Sequence, residues 1–143
     1  AFALMSHKAM SIAAIAVSAC EHIYALSLDY AKTREAFGKP IGTFQNTQFK
    51  LAELKSEATM ARVFVNHCVG EHLKGQLSST TASMAKYWVS DIQCELIDEC
   101  VQLHGGYGYM LEYPVARAWI DARAQRIYGG TNEIMKELIS RTL

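Results

Sequence analysis

From Ser6 to Ala36 the chain contains neither glycine nor proline, and apolar residues recur at Ile12, Ile15, Ala19, Ile23, Leu26 and Tyr30. Steps of three and four place these side chains on one face of a helix. The spacing predicts a helix from about Ser6 to Ala36, stopped at Phe37-Gly38-Lys39-Pro40, where glycine leaves the helical region and proline cannot continue it. Two further tracts read the same way. A second helix starts near Thr43 and carries Phe44, Leu51, Leu54, Ala58, Ala61, Val65 and Cys68 inward before fading at Lys74-Gly75. A third is capped by Ser78, Ser79 or Thr80, carries Met84, Trp88, Ile92, Leu96, Cys100 and Leu103 inward, and ends at His104 before Gly105-Gly106.

Gly105 to Tyr113 reads as a loop rich in glycine and tyrosine. Pro114 suits the first turn of a fourth helix running to about Arg126. Tyr128-Gly129-Gly130 breaks the chain again, and Thr131 caps a short last helix. Its inward residues are Ile134, Met135 and Leu138, and Asn132 and Glu133 stand in its first turn. Three helices of roughly 27 to 31 residues, each about 40 to 46 Å long, joined by short connections, must run antiparallel. The expected fold is all-α, an up-down four-helix bundle with the C-terminal helices as its fourth element, in a single domain over residues 1–143. No strand pattern or internal repeat is expected.

Composition narrows the function. Fourteen Lys+Arg balance fourteen Asp+Glu, which argues against nucleic acid or an anionic membrane surface as partner. No stretch reaches the roughly 18 consecutive apolar residues of a membrane span. Met10 to Cys20, with Val17-Ser18-Ala19-Cys20, has the outline of a lipoprotein signal, but the helical pattern runs on through Glu21, Leu26 and Tyr30. Cys20, Cys68, Cys94 and Cys100 form no C-x-x-C pair and read as reduced, buried thiols. No glutamate stands three residues before a histidine, so the di-iron site of some bundles is excluded and no metal is expected. Neither a G-x-S-x-G elbow nor a phosphate-binding P-loop is present.

Three places suit one large anionic or flat ligand. Arg34 ends a helix, Gln102 precedes Gly105-Gly106, and Gly129-Gly130-Thr131 opens a helix whose N–H groups and dipole favour anions. The surrounding residues carry a resemblance. Arg34-Glu35-Ala36-Phe37-Gly38, Phe44-Gln45, Gln102 to Tyr109 and Ile127 to Ile134 resemble, in order and spacing, the C-terminal helical domain of the acyl-CoA dehydrogenases. Tyr128 to Arg141 is most similar to the long-chain branch.

That resemblance implies FAD as cofactor, α,β-desaturation of acyl-CoA thioesters, and electron-transfer flavoprotein as the electron acceptor. It implies a homodimer or homotetramer, in the mitochondrial matrix of a eukaryote or the cytoplasm of a bacterium. It also implies that the family's N-terminal helical and middle β domains are absent from this sequence. Arg34, Ala36, Phe37, Gln45, Gln102, Gly105 and Gly106 would reach the FAD of a neighbouring subunit. Thr131, Asn132 and Glu133 would lie beside the flavin nucleotide, and Tyr128, Gly129 and Gly130 would face the substrate.

The catalytic base is missing from both positions the family uses. Its usual place, after Tyr128, is Gly129, which has no side chain to take a proton. The long-chain place is 26 residues before Arg34, at Lys8, with Ala9 following where the family has an arginine. Glu21 lies about 20 Å along the helix from Lys8 and on another face. Either residues 1–10 depart from the family's own sequence, or the chain is a non-catalytic assembly module. An acyl-CoA oxidase relative is a third possibility.

Overall fold

The computed structural model describes residues 2–143, with side chains described from Ser6 onward. Five helices account for most of it: α1 (Phe2–Thr33), α2 (Gln45–Leu73), α3 (Ser79–His104), α4 (Pro114–Gln125) and α5 (Asn132–Ser140). Short 3-10 turns span Ile41–Thr43 and Gly105–Tyr109. The all-α bundle expected from the helical period is present, and α4 and α5 share its fourth side.

The caps are those the sequence offers. Ser78 accepts the N–H of Thr81 at 3.0 Å, Thr131 accepts that of Ile134 at 3.3 Å, and Pro114 occupies the first turn of α4. Such caps satisfy donors that the helix itself leaves open.

α1 ends three residues earlier than its pattern predicts, and the unexpected strand pairing explains why. Glu35–Ala36 (β1) and Lys39–Pro40 (β2) form a two-residue antiparallel ladder, with Glu35 opposite Pro40 and Ala36 opposite Lys39. Its turn is Phe37 at φ 53° and Gly38 at φ 79°. Positive φ at both central residues is what a tight hairpin matching strand twist requires.

Helix α3 lies at the centre, against α1, α2, α4 and α5. One end of the core combines Ala9, Ala13 and Val17 of α1 with Val65 and Cys68 of α2 and Ala85 and Val89 of α3. The other joins Cys20, Ile23, Leu54, Ala58, Leu96, Ile97, Cys100 and Ala122. Full burial of Leu96 and Ile97 contributes roughly 1.5–3 kcal/mol each.

The inward faces are partly misassigned by period alone. Ile15 is 56% exposed, and Met84 and Ile134 also face outward. At these positions the contact lines of α1 and α3 run through small neighbours instead, Ala13, Ala16 and Ala85 among them, which allow the helices close approach. α1 also corrects the hydropathy reading. Ser6–Thr33 is long and apolar enough to cross a membrane, its most apolar 18-residue window having a mean hydropathy of 1.5, yet its alanine and valine line packs into the bundle core. The four cysteines are free, three of them buried and Cys94 half-buried.

Candidate functional site

At the C-terminal end of α3 the bundle opens into a cleft of about 520 Å³, lined among others by Arg34, Gln102, Gly105 and Gly106. Arg34 and Gln102 are distant in sequence; α1 and α3, separated by the antiparallel α2, run parallel, so their C-terminal ends meet here.

Aromatic rings form the wall. Tyr30 stacks on His104 with centroids 4.2 Å apart, and its hydroxyl donates to the His104 carbonyl at 3.3 Å. His104 is buried with Nδ1 2.8 Å from the Cys100 carbonyl, which can only accept, so Nδ1 carries a proton. Tyr107 stacks on Tyr113 at 5.0 Å, and the Arg34 guanidinium lies 5.4 Å over the Tyr107 ring. Burial of the Tyr30 phenol pushes its pKa up, against the opposing pull of Arg34. A cation laid on an aromatic face keeps its planar fork aligned along the cleft.

Gly105 and Gly106 have nothing within 4 Å of where a Cβ would stand. Their backbone is therefore approachable by a ligand. A planar cation, an amide and exposed backbone suit a phosphate-bearing, flat ligand such as a flavin nucleotide.

Ala36, Phe37 and Gln45 do not line this cleft. Ala36 is in β1, Gln45 begins α2, and Phe37 projects from the hairpin tip, 96% exposed. Phe44 steadies the tip, edge-on to Phe37 at 6.2 Å and beneath the Lys39 ammonium at 4.4 Å.

The second group stands elsewhere on α3. Tyr128–Gly130 turns back over α1, with Gly129 at φ 69° and Gly130 at φ 97°. Thr131 caps α5, and Glu133 is exposed in its first turn, where a backbone N–H bond and then Thr131 hold its carboxyl below the ordinary range. Asn132 goes the other way. It is 1% exposed and points into the bundle, where the Lys86 ammonium donates to its Oδ1 at 2.7 Å and to the Gly130 carbonyl at 2.7 Å.

The Asn132 amide donates to the Tyr87 carbonyl, Ser90 Oγ and Asp91 Oδ1, at 3.2, 3.0 and 2.9 Å. The Arg126 guanidinium pairs with Asp91 at 2.6 Å. Sequence reasoning missed Lys86, Ser90, Asp91 and Arg126. The signal was present: Lys86 falls on the same helical face as Ala82 and Val89, where an apolar residue is expected.

Lys86 and Gln102 are sixteen residues apart on α3, about 24 Å at 1.5 Å per residue. The two groups are distinct half-sites. Lys8 is exposed, one turn before buried Ile12, and Ile12 lies against Gly129. The two base positions thus flank Ile12, and neither carries a carboxylate. Glu21 is occupied elsewhere: Arg62 Nε donates to its Oε1 at 2.9 Å and lowers its pKa.

An all-α bundle with these motifs is the C-terminal domain of the acyl-CoA dehydrogenases; the family's model for that domain matches residues 1–143, and the chain belongs to this family. Among its relatives, the mouse mitochondrial long-chain specific acyl-CoA dehydrogenase is 52% identical over 139 residues, 97% of this chain and 32% of that protein. The solved acyl-CoA dehydrogenase of Geobacillus kaustophilus superposes with a TM-score of 0.94 at 41% identity, covering 96% of this chain and 36% of that one. An acyl-CoA dehydrogenase from Bacillus anthracis, solved in complex with FAD, gives 0.92 at 29% identity, covering 99% and 28%. The chain spans about a third of the length of the curated relatives it matches.

Proposed function

We propose that this chain is the FAD-contacting and oligomerisation domain of a flavin-dependent acyl-CoA dehydrogenase of long-chain type. The observation that carries this reading is the convergence of Arg34, Gln102, Gly105 and Gly106 on one aromatic-walled cleft. In this reading Arg34 pairs with the ligand's pyrophosphate, Gln102 orients its polar edge, and the two glycines let it approach the backbone. Ala36, Phe37 and Gln45 extend the contact beyond the cleft.

At the other half-site, Thr131 and Glu133 stand beside the nucleotide, Asn132 fixes the turn from inside, and Tyr128 to Gly130 face an acyl-CoA thioester. Bound FAD supplies the acceptor for the hydride lost from the acyl β-carbon. Half-sites about 24 Å apart along α3 are best used if one ligand lies between two copies, each giving a different half. The chain therefore works as a homodimer or homotetramer. The complete enzyme passes its electrons to electron-transfer flavoprotein and, in a eukaryote, works in the mitochondrial matrix.

One observation favours a second reading, a non-catalytic assembly module. Where α-proton abstraction requires a carboxylate, this chain has Lys8 and Gly129. An acyl-CoA oxidase relative has no specific observation in its favour.

The test is to place residues 1–143 as the C-terminal third of a long-chain relative and measure bound FAD per subunit. Arg34→Ala and Gln102→Ala should each weaken FAD binding about tenfold or more, the scale of a lost charge-assisted or polar contact. Stoichiometric FAD with unchanged affinity in both variants would remove the cleft from the site.

A further inference from the structure

Lys86 is completely buried, and both bonds it makes go to one short segment far away in sequence, the Gly130 carbonyl and the Asn132 side chain. Burying an ammonium is costly, and a hydrophobic residue of similar volume would pack α3 at least as well. Nor is Lys86 bonded to a carboxylate that would justify its place as an ion pair. Asp91 and Glu133 act on it only through space, with Arg126 opposing, and burial pushes its pKa down.

The segment it holds needs holding. Gly129 and Gly130 both take positive φ, a conformation without regular hydrogen bonding of its own. Attachment to α3 occurs at three points. Arg126, where the segment leaves α4, pairs with Asp91 at 2.6 Å. Gly130, in the middle, accepts from Lys86. Asn132, where α5 begins, bonds Lys86, Ser90, Asp91 and the Tyr87 carbonyl, while its own N–H returns to the Arg126 carbonyl at 3.0 Å. The amide can satisfy these partners in one orientation only, with Oδ1 toward the ammonium and Nδ2 toward the acceptors.

We propose that Lys86 is the positioning residue of the Tyr128–Gly130 turn, a buried cation that fixes the ligand-facing backbone to α3 without touching the ligand. This deepens the function proposed above, because it rests on the turn being ligand-facing. The bonds of Lys86 set where the Gly130 carbonyl and the first N–H groups of α5 stand.

Amide hydrogen exchange on the 143-residue chain tests the proposal, comparing wild type with Lys86→Met, which keeps length and removes the charge. Exchange of the Asn132 and Ile134 amides should accelerate about 10- to 100-fold, the scale of one hydrogen bond to a charged group. The α2 amides from Leu51 to Cys68 should change less than about threefold. Asn132→Ala, which removes one acceptor of Lys86 together with the amide's bonds to Tyr87, Ser90 and Asp91, should loosen the same amides and serves if Lys86→Met fails to fold. Unchanged exchange in the turn, or an equal acceleration in α2 and α5, would overturn the proposal and make Lys86 a general packing residue. Failure of the flavin reading would show separately, as FAD binding indifferent to Arg34→Ala at the far end of α3.

Discussion

The side chain of Ile12 occupies the space that a Cβ on Gly129 would need. Lys8 stands one helical turn before Ile12, about 6 Å along the α1 axis, so the two places a base could stand lie on different elements to either side of this contact. A protein carrying Lys8 and Gly129 should therefore dehydrogenate long-chain acyl-CoA negligibly, since losing a general base typically costs about 10² to 10⁴ in rate.

Restoration should be unequal. Lys8→Glu adds a carboxylate at an exposed helical position with no backbone strain. Gly129→Glu forces a side chain onto φ 69° and against Ile12, at a cost of about 1–3 kcal/mol. In the full-length context, steady-state turnover should recover with Lys8→Glu and recover less, with a lower melting temperature, with Gly129→Glu. Substantial turnover in the unmutated protein would place the base elsewhere, and failure of both variants would favour the assembly module.

Phe37 combines φ 53° with near-complete exposure, an arrangement that does little for the stability of the isolated bundle. Replacing it by glycine relieves left-handed strain of about 1–2 kcal/mol and loses the edge contact with Phe44, worth about 0.5–1.5 kcal/mol. Phe37→Gly should leave the urea midpoint nearly unchanged while weakening self-association. Analytical ultracentrifugation at roughly 100 μM should show dimers or tetramers for the wild type. A clean monomer there would contradict the oligomerisation reading.

The isolated chain should be colourless. Its cleft is open, and each copy holds only two separated half-sites, so FAD affinity should be weaker than roughly 10 μM. Fluorescence titration would detect tighter binding, which would mean that these residues alone cover the ring.

Alkaline stability should be governed by buried thiols. Burial pushes Cys20 up to about 12 and Cys100 to about 11 from 9.0. Above pH 9 the unfolded chain loses these protons while the fold keeps them, so stability must fall between about pH 9 and 12. Lys86, whose pKa is lowered by burial, gives the opposite slope below 10.5. Cys20→Ala and Cys100→Ala should each flatten the decline in urea midpoint measured from pH 8 to 10.5. An equally steep decline in both would assign it to other groups.

What was legible in the sequence was local. Ser78, Thr131, Pro114 and the glycine pairs marked helix ends because caps and φ preferences act within a few residues. The motifs around Arg34, Gln102 and Thr131 carried the family resemblance. The inward positions Leu54, Val65, Leu96 and Cys100 followed from helical period.

Three things were decided by tertiary structure. Ile15 and Met84 sit outward because small residues such as Ala16 and Ala85 make the contacts, and a period does not say which neighbours surround a helix. Phe37 closes a hairpin because β1 finds β2, overriding a helical pattern that runs on to Ala36. Asn132 turns inward because buried Lys86 awaits it from α3, and a first-turn position on α5 does not reveal that partner. Helical period and capping are short-range and can be read from the chain. The convergence of Arg34 with Gln102, and of Lys86 with Gly130, depends on how helices distant in sequence pack side by side, and that exists only in the fold.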